Sequence, residues 1–300
     1  MSAVTITAAS TSATVDVARG FTLYSWTVDG FDYLHTEPGF PDHGKVTHSG
    51  IPILFPWPNR IADARFTWDG ADYVLPVTEP ATGASLHGYA AFAAWQVIDQ
   101  GPQHVTGEFL LSRDAPDQVW PADAGLRVTY RVAPTVLHVM AEVFNDDTVD
   151  LPFGLGFHPY FRVPGPFDQW LLQCDATTAW PLINMVPEGV AVPIPESVDF
   201  RTPRRLGDQH LDDALTGLPA APAMTQRAAL RSMAANLSVS SDPAFTDYVL
   251  FTPASRDAVA IEPYTCATDA VNLQARGIDA GWQVLPAGRT ARFAWRVGVE

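Results

Sequence analysis

Four polar positions interrupt apolar or tightly turned segments of this chain and carry side chains able to move protons or hold hydroxyl groups. In ILFPWPNRIAD, Asn59 and Arg60 follow an apolar run set between Pro56 and Pro58. An Arg fixed after so rigid a lead-in can present its planar fork to ligand hydroxyls; a surface ion pair with Asp63 is the plainer alternative. In SLHGYAAFAAW, His87 precedes a glycine that permits close backbone approach. Tyr89, Phe92 and Trp95 follow, rings that either stack on the apolar face of a ligand or fill the core. In FGLGFHPYFRVP, His158 stands directly before Pro159, which favours extended geometry and a strand end. Its ordinary pKa near neutrality suits proton transfer in either direction. In AVAIEPYTCATDAVNL, alternation sets Val259 and Ile261 on one face and Ala260 and Glu262 on the other. Glu262 again precedes a proline, Pro263, and again reads as the end of a strand. A carboxylate there is costly unless donors or water reach it, and a structural ion pair is the alternative.

The elements that must position these residues read as strands. Apolar residues recur at period two in short runs, and Val, Ile, Thr, Tyr, Phe and Trp dominate them. ARFTWDGADYVLPV predicts a hairpin turning at Asp69-Gly70. HVTGEFLLSR precedes GLRVTYRVAPTVLHVMAEVFN, a strand pair joined at Ala133-Pro134. DYVLFTP and AVAIEPY continue the pattern, and WQVLP with GRTARFAWRVGV reads as a closing pair around Pro286-Ala287-Gly288. Helix is expected only as short turns near 115–124 and 210–216. The segment from Pro181 to Pro203 reads as a long ordered loop or a hairpin with edge prolines. No Gly/Ser linker or fixed-period repeat divides the chain, so the expected architecture is all-β: one large antiparallel β-sandwich in a single domain, 1–300.

Composition narrows the function classes. The 300 residues should bury roughly 75% of the surface exposed on unfolding, and 47% of them are hydrophobic. A formal charge of −15 argues against nucleic-acid binding, which needs a basic face, and favours neutral ligands over polyanions. Two cysteines, Cys174 and Cys266, make no disulfide framework and fit free thiols in a reducing compartment. The first residues lack both a basic start and a long apolar run, so a cytoplasmic location without membrane attachment is expected. His35, His43 and His48 with Glu37 and Asp42 match no familiar metal spacing and read as a solvated loop. No Walker loop, dinucleotide fingerprint or G-x-S-x-G elbow occurs.

Taken in order, NR, HG, GFHPYF, a later LDD, and EPYT followed by DAVN resemble the aldose 1-epimerase (galactose mutarotase) family, from about Asn59 to Asn272. The resemblance implies a large antiparallel β-supersandwich and interconversion of the α and β anomers of a free aldose, with no metal or cofactor. It implies Glu262 as general base toward the C1 hydroxyl and His158 as general acid toward the ring oxygen, with His87 bonding nearby. Arg60 and Asp212 correspond to residues that hold ring hydroxyls, and Asn59, Tyr160 and Trp95 are counted with them as sugar contacts. Whether Asp212 or Asp213 faces the site stays open. In this scheme His158 rests protonated and Glu262 ionised, each supporting the other. The expected partner is a single monosaccharide, bound by a monomer or homodimer. Gly88-Tyr89 after His87 and Pro159 after His158 depart from the best-known galactose mutarotases, so the HPYF form marks a divergent branch whose sugar is open.

Three rivals remain. A hexose-6-phosphate 1-epimerase would need a cationic pocket, for which Arg162, Arg201, Arg204 and Arg205 are the candidates. A non-catalytic sugar sensor or lectin would not need both His158 and Glu262. A glycosidase built on Asp212 and Glu262 would leave His158 without a task.

Overall fold

A computed structural model describes residues 3–300, and antiparallel strands account for nearly all of its regular structure. Two large sheets carry the architecture. At the centre of the nine-stranded sheet, Gly125–Ala133 pairs with Val136–Phe144, which pairs with Thr290–Val299. The eight-stranded sheet sets Asp212–Thr216, Asp247–Phe251 and Val259–Tyr264 side by side, followed by Gly156–Phe157 and Ile53–Leu54. An N-terminal four-stranded sheet, Ala3–Ala8 through Phe31–Asp32, packs against Gly125–Ala133.

Period-two patterning explains how the sheets meet. Along Gly125–Ala133, Leu126, Val128, Tyr130 and Val132 are buried, whereas Arg131 is exposed. The facing sheet contributes Leu250 and Ile261 to the same core. Phe157 lies against Trp295 with ring centroids 5.5 Å apart, and the Tyr248 hydroxyl donates to Ser241 Oγ across the layers. Each such large apolar side chain contributes about 1.5–3 kcal/mol on full burial.

The Asp69-Gly70 hairpin forms as its sequence requires. Arg65–Trp68 and Ala71–Val74 are joined by two residues at φ +46° and +75°, the positive values that a two-residue turn of this hand demands. Val136 follows the Pro134-Thr135 turn and pairs with Ala133. The Pro181–Pro203 stretch forms a small hairpin, Leu182–Ile183 with Val186–Pro187. It then supplies Val192–Pro193 as the outermost strand of the eight-stranded sheet, where a missing N–H is tolerated.

Three expectations fail, the first being the helical turn near 115–124, since the helix there spans Leu111–Asp114 and ends before that range. The closing segments do not pair with each other: Gln283–Leu285 joins Leu151–Phe153, while Thr290–Val299 lies between Val136–Phe144 and Asn236–Ser241. Residues 212–216 form a strand and not a helical turn, because Asp247–Phe251 offers a full ladder to pair with. The α-helical turns among the described residues are Leu111–Asp114 and Ala270–Ala275. None is long and apolar enough to cross a membrane.

Candidate active site

One irregular ladder brings the acid–base pair together. Val259–Tyr264 pairs with Gly156 through Tyr264 and with Tyr160 through Ala260. The register is the same on both sides of the intervening gap, so His158 stands opposite Glu262. By the alternation of the antiparallel ladder this is a non-hydrogen-bonded pair, the kind in which side chains approach most closely. Thr265 N–H donates to Leu155 C=O beyond one end of the gap, and Ile261 N–H donates to Pro159 C=O at the other. Of the four ladder bonds that would flank His158 and Glu262, two need N–H groups at positions 159 and 263, and both are prolines. Of the two pre-proline residues, His158 directly follows the end of Gly156–Phe157, whereas Glu262 is not at a strand end. Val259–Tyr264 runs straight through Pro263, and the prolines instead open the ladder beneath the pair.

Alternation then selects the wall. Val249 lies opposite Glu262, Phe251 opposite Ala260, and Asp212 opposite Phe251, so all of these project from the sheet face away from the main core. Asp213 lies opposite Leu250, on the core-facing side. Asp212, and not Asp213, is the carboxylate that lines the cavity.

Glu262 Oε1 is 3.3 Å from His158 Nε2, and Glu262 Oε2 accepts a 2.6 Å hydrogen bond from the Tyr264 hydroxyl. His158 stacks on Tyr160 at 4.6 Å between centroids, and the Tyr160 hydroxyl donates to Thr47 C=O. Glu262 is 1% exposed and His158 7%, and this decides their charge. Burial pushes the Glu262 carboxyl well above the usual carboxylate range, with Tyr264 opposing, and pushes His158 well below neutrality, with His87 adding to the effect. Burial thus opposes charge on both groups, and the 3.3 Å approach lets one proton pass between them.

The other side of the cavity comes from a second short ladder, Arg60–Ile61 with Ser85–Leu86. Asn59 and His87 flank it at φ +55° and +67°, and His87 N–H donates to Asn59 C=O. Gly88, also at positive φ, packs on the backbone of Phe55; a Cβ there would lie 2.3 Å from that carbonyl oxygen. This close packing swings His87 toward His158, ring centroids 5.5 Å apart and edge-on. Burial, with Arg60 adding, pushes His87 down to about 3, so it stays neutral. Arg60 does not pair with Asp63. Its Nε and Nη2 donate to the two oxygens of Glu79 at 2.6 and 2.7 Å, and its Nη1 to Asn59 Oδ1 at 2.9 Å. The Arg60 bonds hold the Glu79 carboxyl below its usual range.

Of the residues singled out from sequence, Asn59, Arg60, His87, His158, Tyr160, Asp212 and Glu262 all line one cavity of about 180 Å³. Trp95 does not join them. It stacks on Phe21 at 5.4 Å inside the core and donates its Nε1–H to Ala90 C=O. Glu79, Tyr264 and His48 line the cavity without having been picked out as ligand contacts. Glu79 carried no signal beyond its type, and Tyr264 stood within the EPYT motif without a role assigned to it. His48 belongs to the loop read as solvated. No group of three or more His, Cys, Asp or Glu among the described residues is arranged to hold a metal.

A buried acid–base pair beside an Arg, a neutral His87 and the carboxylates of Asp212 and Glu79 is chemically able to move protons on a small hydroxylated ligand. The chain belongs to the aldose 1-epimerase family, whose model matches residues 2–297. Among curated proteins it is 26% identical over 263 residues to the uncharacterized protein YihR of Escherichia coli, covering 87% of this chain and 82% of YihR. It is 30% identical over 161 residues to rat galactose mutarotase, a match that spans 51% of this chain and 45% of that protein. In fold it is similar to a galactose mutarotase-like protein of Clostridium acetobutylicum, with a TM-score of 0.88 at 18% identity and coverage of 99% and 95%. It is also similar to a putative aldose 1-epimerase of Escherichia coli, with a TM-score of 0.83 at 22% identity and coverage of 99% and 98%.

Proposed function

We propose that the protein interconverts the α and β anomers of a free aldose, with Glu262 and His158 exchanging roles as base and acid. The observation that carries this reading is the 3.3 Å approach of the buried Glu262 Oε1 to His158 Nε2 at the wall of a cavity of about 180 Å³. The two oxygens whose protons must change, O1 and O5, are both bonded to C1. An acid and a base serving them must therefore be neighbours, as these are.

In one direction Glu262 takes the proton from the C1 hydroxyl, the C1–O5 bond breaks as C1=O1 forms, and O5 takes a proton from His158. That step leaves Glu262 protonated and His158 neutral, the charge state that burial favours. Rotation about C1–C2 presents the other carbonyl face. O5 then returns its proton to His158 as it attacks C1, and O1 takes one from Glu262. The proton count of the pair is the same before and after, as a cofactor-independent isomerisation requires. Neutral His87 serves as a hydrogen-bonding group beside this pair. Arg60, held by Glu79 and Asn59, and Asp212 serve the hydroxyls farther round the ring, and Tyr160 supplies a flat wall beside His158.

Anomer exchange followed by NMR across a panel of aldoses tests the reading, with the wild type beside Glu262→Gln. The expected outcome is acceleration by the wild type and loss of about 10²–10⁴-fold in the variant. Equal exchange rates for the two proteins would remove Glu262 from the chemistry. Sugar binding by the wild type without any acceleration would favour a lectin-like role.

A further inference from the structure

The loop that reads as solvated in the sequence reaches the cavity. His48, at the end of the 3₁₀ turn Val46–His48, lines the same hollow as His158 and Glu262 although its side chain is about half exposed. Its Nδ1 lies 3.0 Å from Glu37 Oε1. Glu37 is itself fixed: its Oε2 accepts the Lys45 N–H at 2.6 Å, and its own N–H donates to buried Ser49 Oγ. Those bonds, the Lys45 amide first and His48 after it, keep the Glu37 carboxyl below its usual range. The loop is also tied to the strand that carries the acid–base pair, because Tyr160 N–H donates to Gly50 C=O and its hydroxyl to Thr47 C=O. A carboxylate engaging Nδ1 fixes both the ring orientation and the tautomer, leaving Nε2 free for a ligand.

We propose that His48, oriented by Glu37, is a specificity-determining residue that hydrogen-bonds one hydroxyl of the bound sugar on the Tyr160 side of the cavity. This rests on the aldose reading above. Arg60 and Glu79 belong to the second ladder's side of the cavity, and Asp212 stands three strands from Tyr160 across the eight-stranded sheet, so without His48 the Tyr160 side would offer a sugar mainly a flat ring. A solvated, structurally idle histidine would not need a fixed carboxylate behind it at the lip of a catalytic cavity. Glu37 is a positioning residue in this scheme, and neither residue touches C1, O1 or O5.

The test measures KM and kcat for anomer exchange with the best aldose of the panel and with its monodeoxy analogues, in wild type, His48→Ala, Glu37→Gln and the double variant. The expected result for His48→Ala is a KM raised about fivefold to tenfold with kcat unchanged, the effect of one lost hydrogen bond. That penalty should vanish for one monodeoxy analogue, the one lacking the bonded hydroxyl. Glu37→Gln should raise KM less, and should add nothing in the His48→Ala background. A KM within twofold of wild type for every sugar, an equal penalty for all analogues, or a loss confined to kcat would each overturn the proposal. If the wild type accelerates no aldose, the aldose reading has failed separately. Calorimetric binding of the same sugars to wild type and His48→Ala then decides the role of His48, with unchanged affinities overturning it.

Discussion

The single proton shared by His158 and Glu262 fixes how activity and stability should vary with pH. A second proton, needed to charge His158 while Glu262 is already protonated, is resisted by burial and by neighbouring His87. Loss of the last proton leaves a carboxylate in a dry site, which burial also resists. Activity should thus follow a bell whose two limbs belong to the pair and not to either residue. The acid limb should fall below the ordinary histidine value and the alkaline limb above the ordinary carboxylate value; a flat profile from pH 4 to 9 would exclude the pair. Stability carries the same signature. The folded pKa of Glu262 is raised above its unfolded value, so its contribution is fully present below the unfolded value and is lost as pH rises through the folded one. Glu262→Gln removes that loss and can still accept the Tyr264 hydrogen bond. Its melting temperature should exceed that of wild type by several degrees at pH 8, with the gap closing toward pH 4. Asp247, raised by burial to about 6, contributes a slope of the same sign to both proteins and cancels in the comparison. A variant less stable than wild type at pH 8 would show that Glu262 is ionised and paired in the folded state.

At the scale of the strand, a one-residue step decides which of two adjacent aspartates meets the ligand. Asp212 and Asp213 are chemically alike, but the pairing of Asp212 with Phe251 and of Asp213 with Leu250 sends them to opposite faces. Asp212→Asn should raise KM for an aldose about tenfold, as expected when a charged hydrogen-bonding partner is lost, whereas Asp213→Asn should leave KM unchanged. The reverse result would mean that the strand is shifted by one residue. That register was not legible in QHLDDALTGL, because it depends on a partner strand more than thirty residues away in the sequence. The Asp69-Gly70 hairpin was legible because its signal is local: two residues able to hold positive φ between alternating runs. The same contrast explains the closing segments, whose adjacency suggested pairing although their partners are Leu151–Phe153 and Val136–Phe144. His158 and Glu262 were found by type and by their prolines, but the reason for those prolines emerged only from the shared ladder. Trp95 was misplaced because an aromatic side chain looks the same in sequence whether it meets a ligand or, as here, Phe21 and Phe109. Glu79 escaped notice because its role, gripping Arg60, joins residues nineteen positions apart.

For the molecule as a whole, the distribution of charge bears on whether the sugar carries a phosphate. The chain bears 33 acidic and 18 basic residues, and the four arginines considered for a phosphate pocket, Arg162, Arg201, Arg204 and Arg205, do not line the cavity. Arg201 is paired with Asp199, Arg204 donates to the carbonyls of Ser197 and Asp199 and lies over Phe200, and Arg162 lies over Phe31. Arg60 is the arginine among the described residues lining the cavity, and Glu79 already occupies two arms of its fork. A phosphate dianion would enter against the field of a −15 chain and find Asp212 and Glu79 beside the one guanidinium. Glucose should therefore exchange faster than glucose 6-phosphate when each is compared with its uncatalysed rate. Salt supplies the control, because raising ionic strength from about 0.01 M to 1 M shortens the screening length from roughly 30 Å to 3 Å. Any residual acceleration of the phosphorylated sugar should rise over that range while that of glucose stays level. Preference for the phosphorylated sugar at low salt, weakening as salt is added, would instead point to a cationic site and overturn the free-aldose assignment.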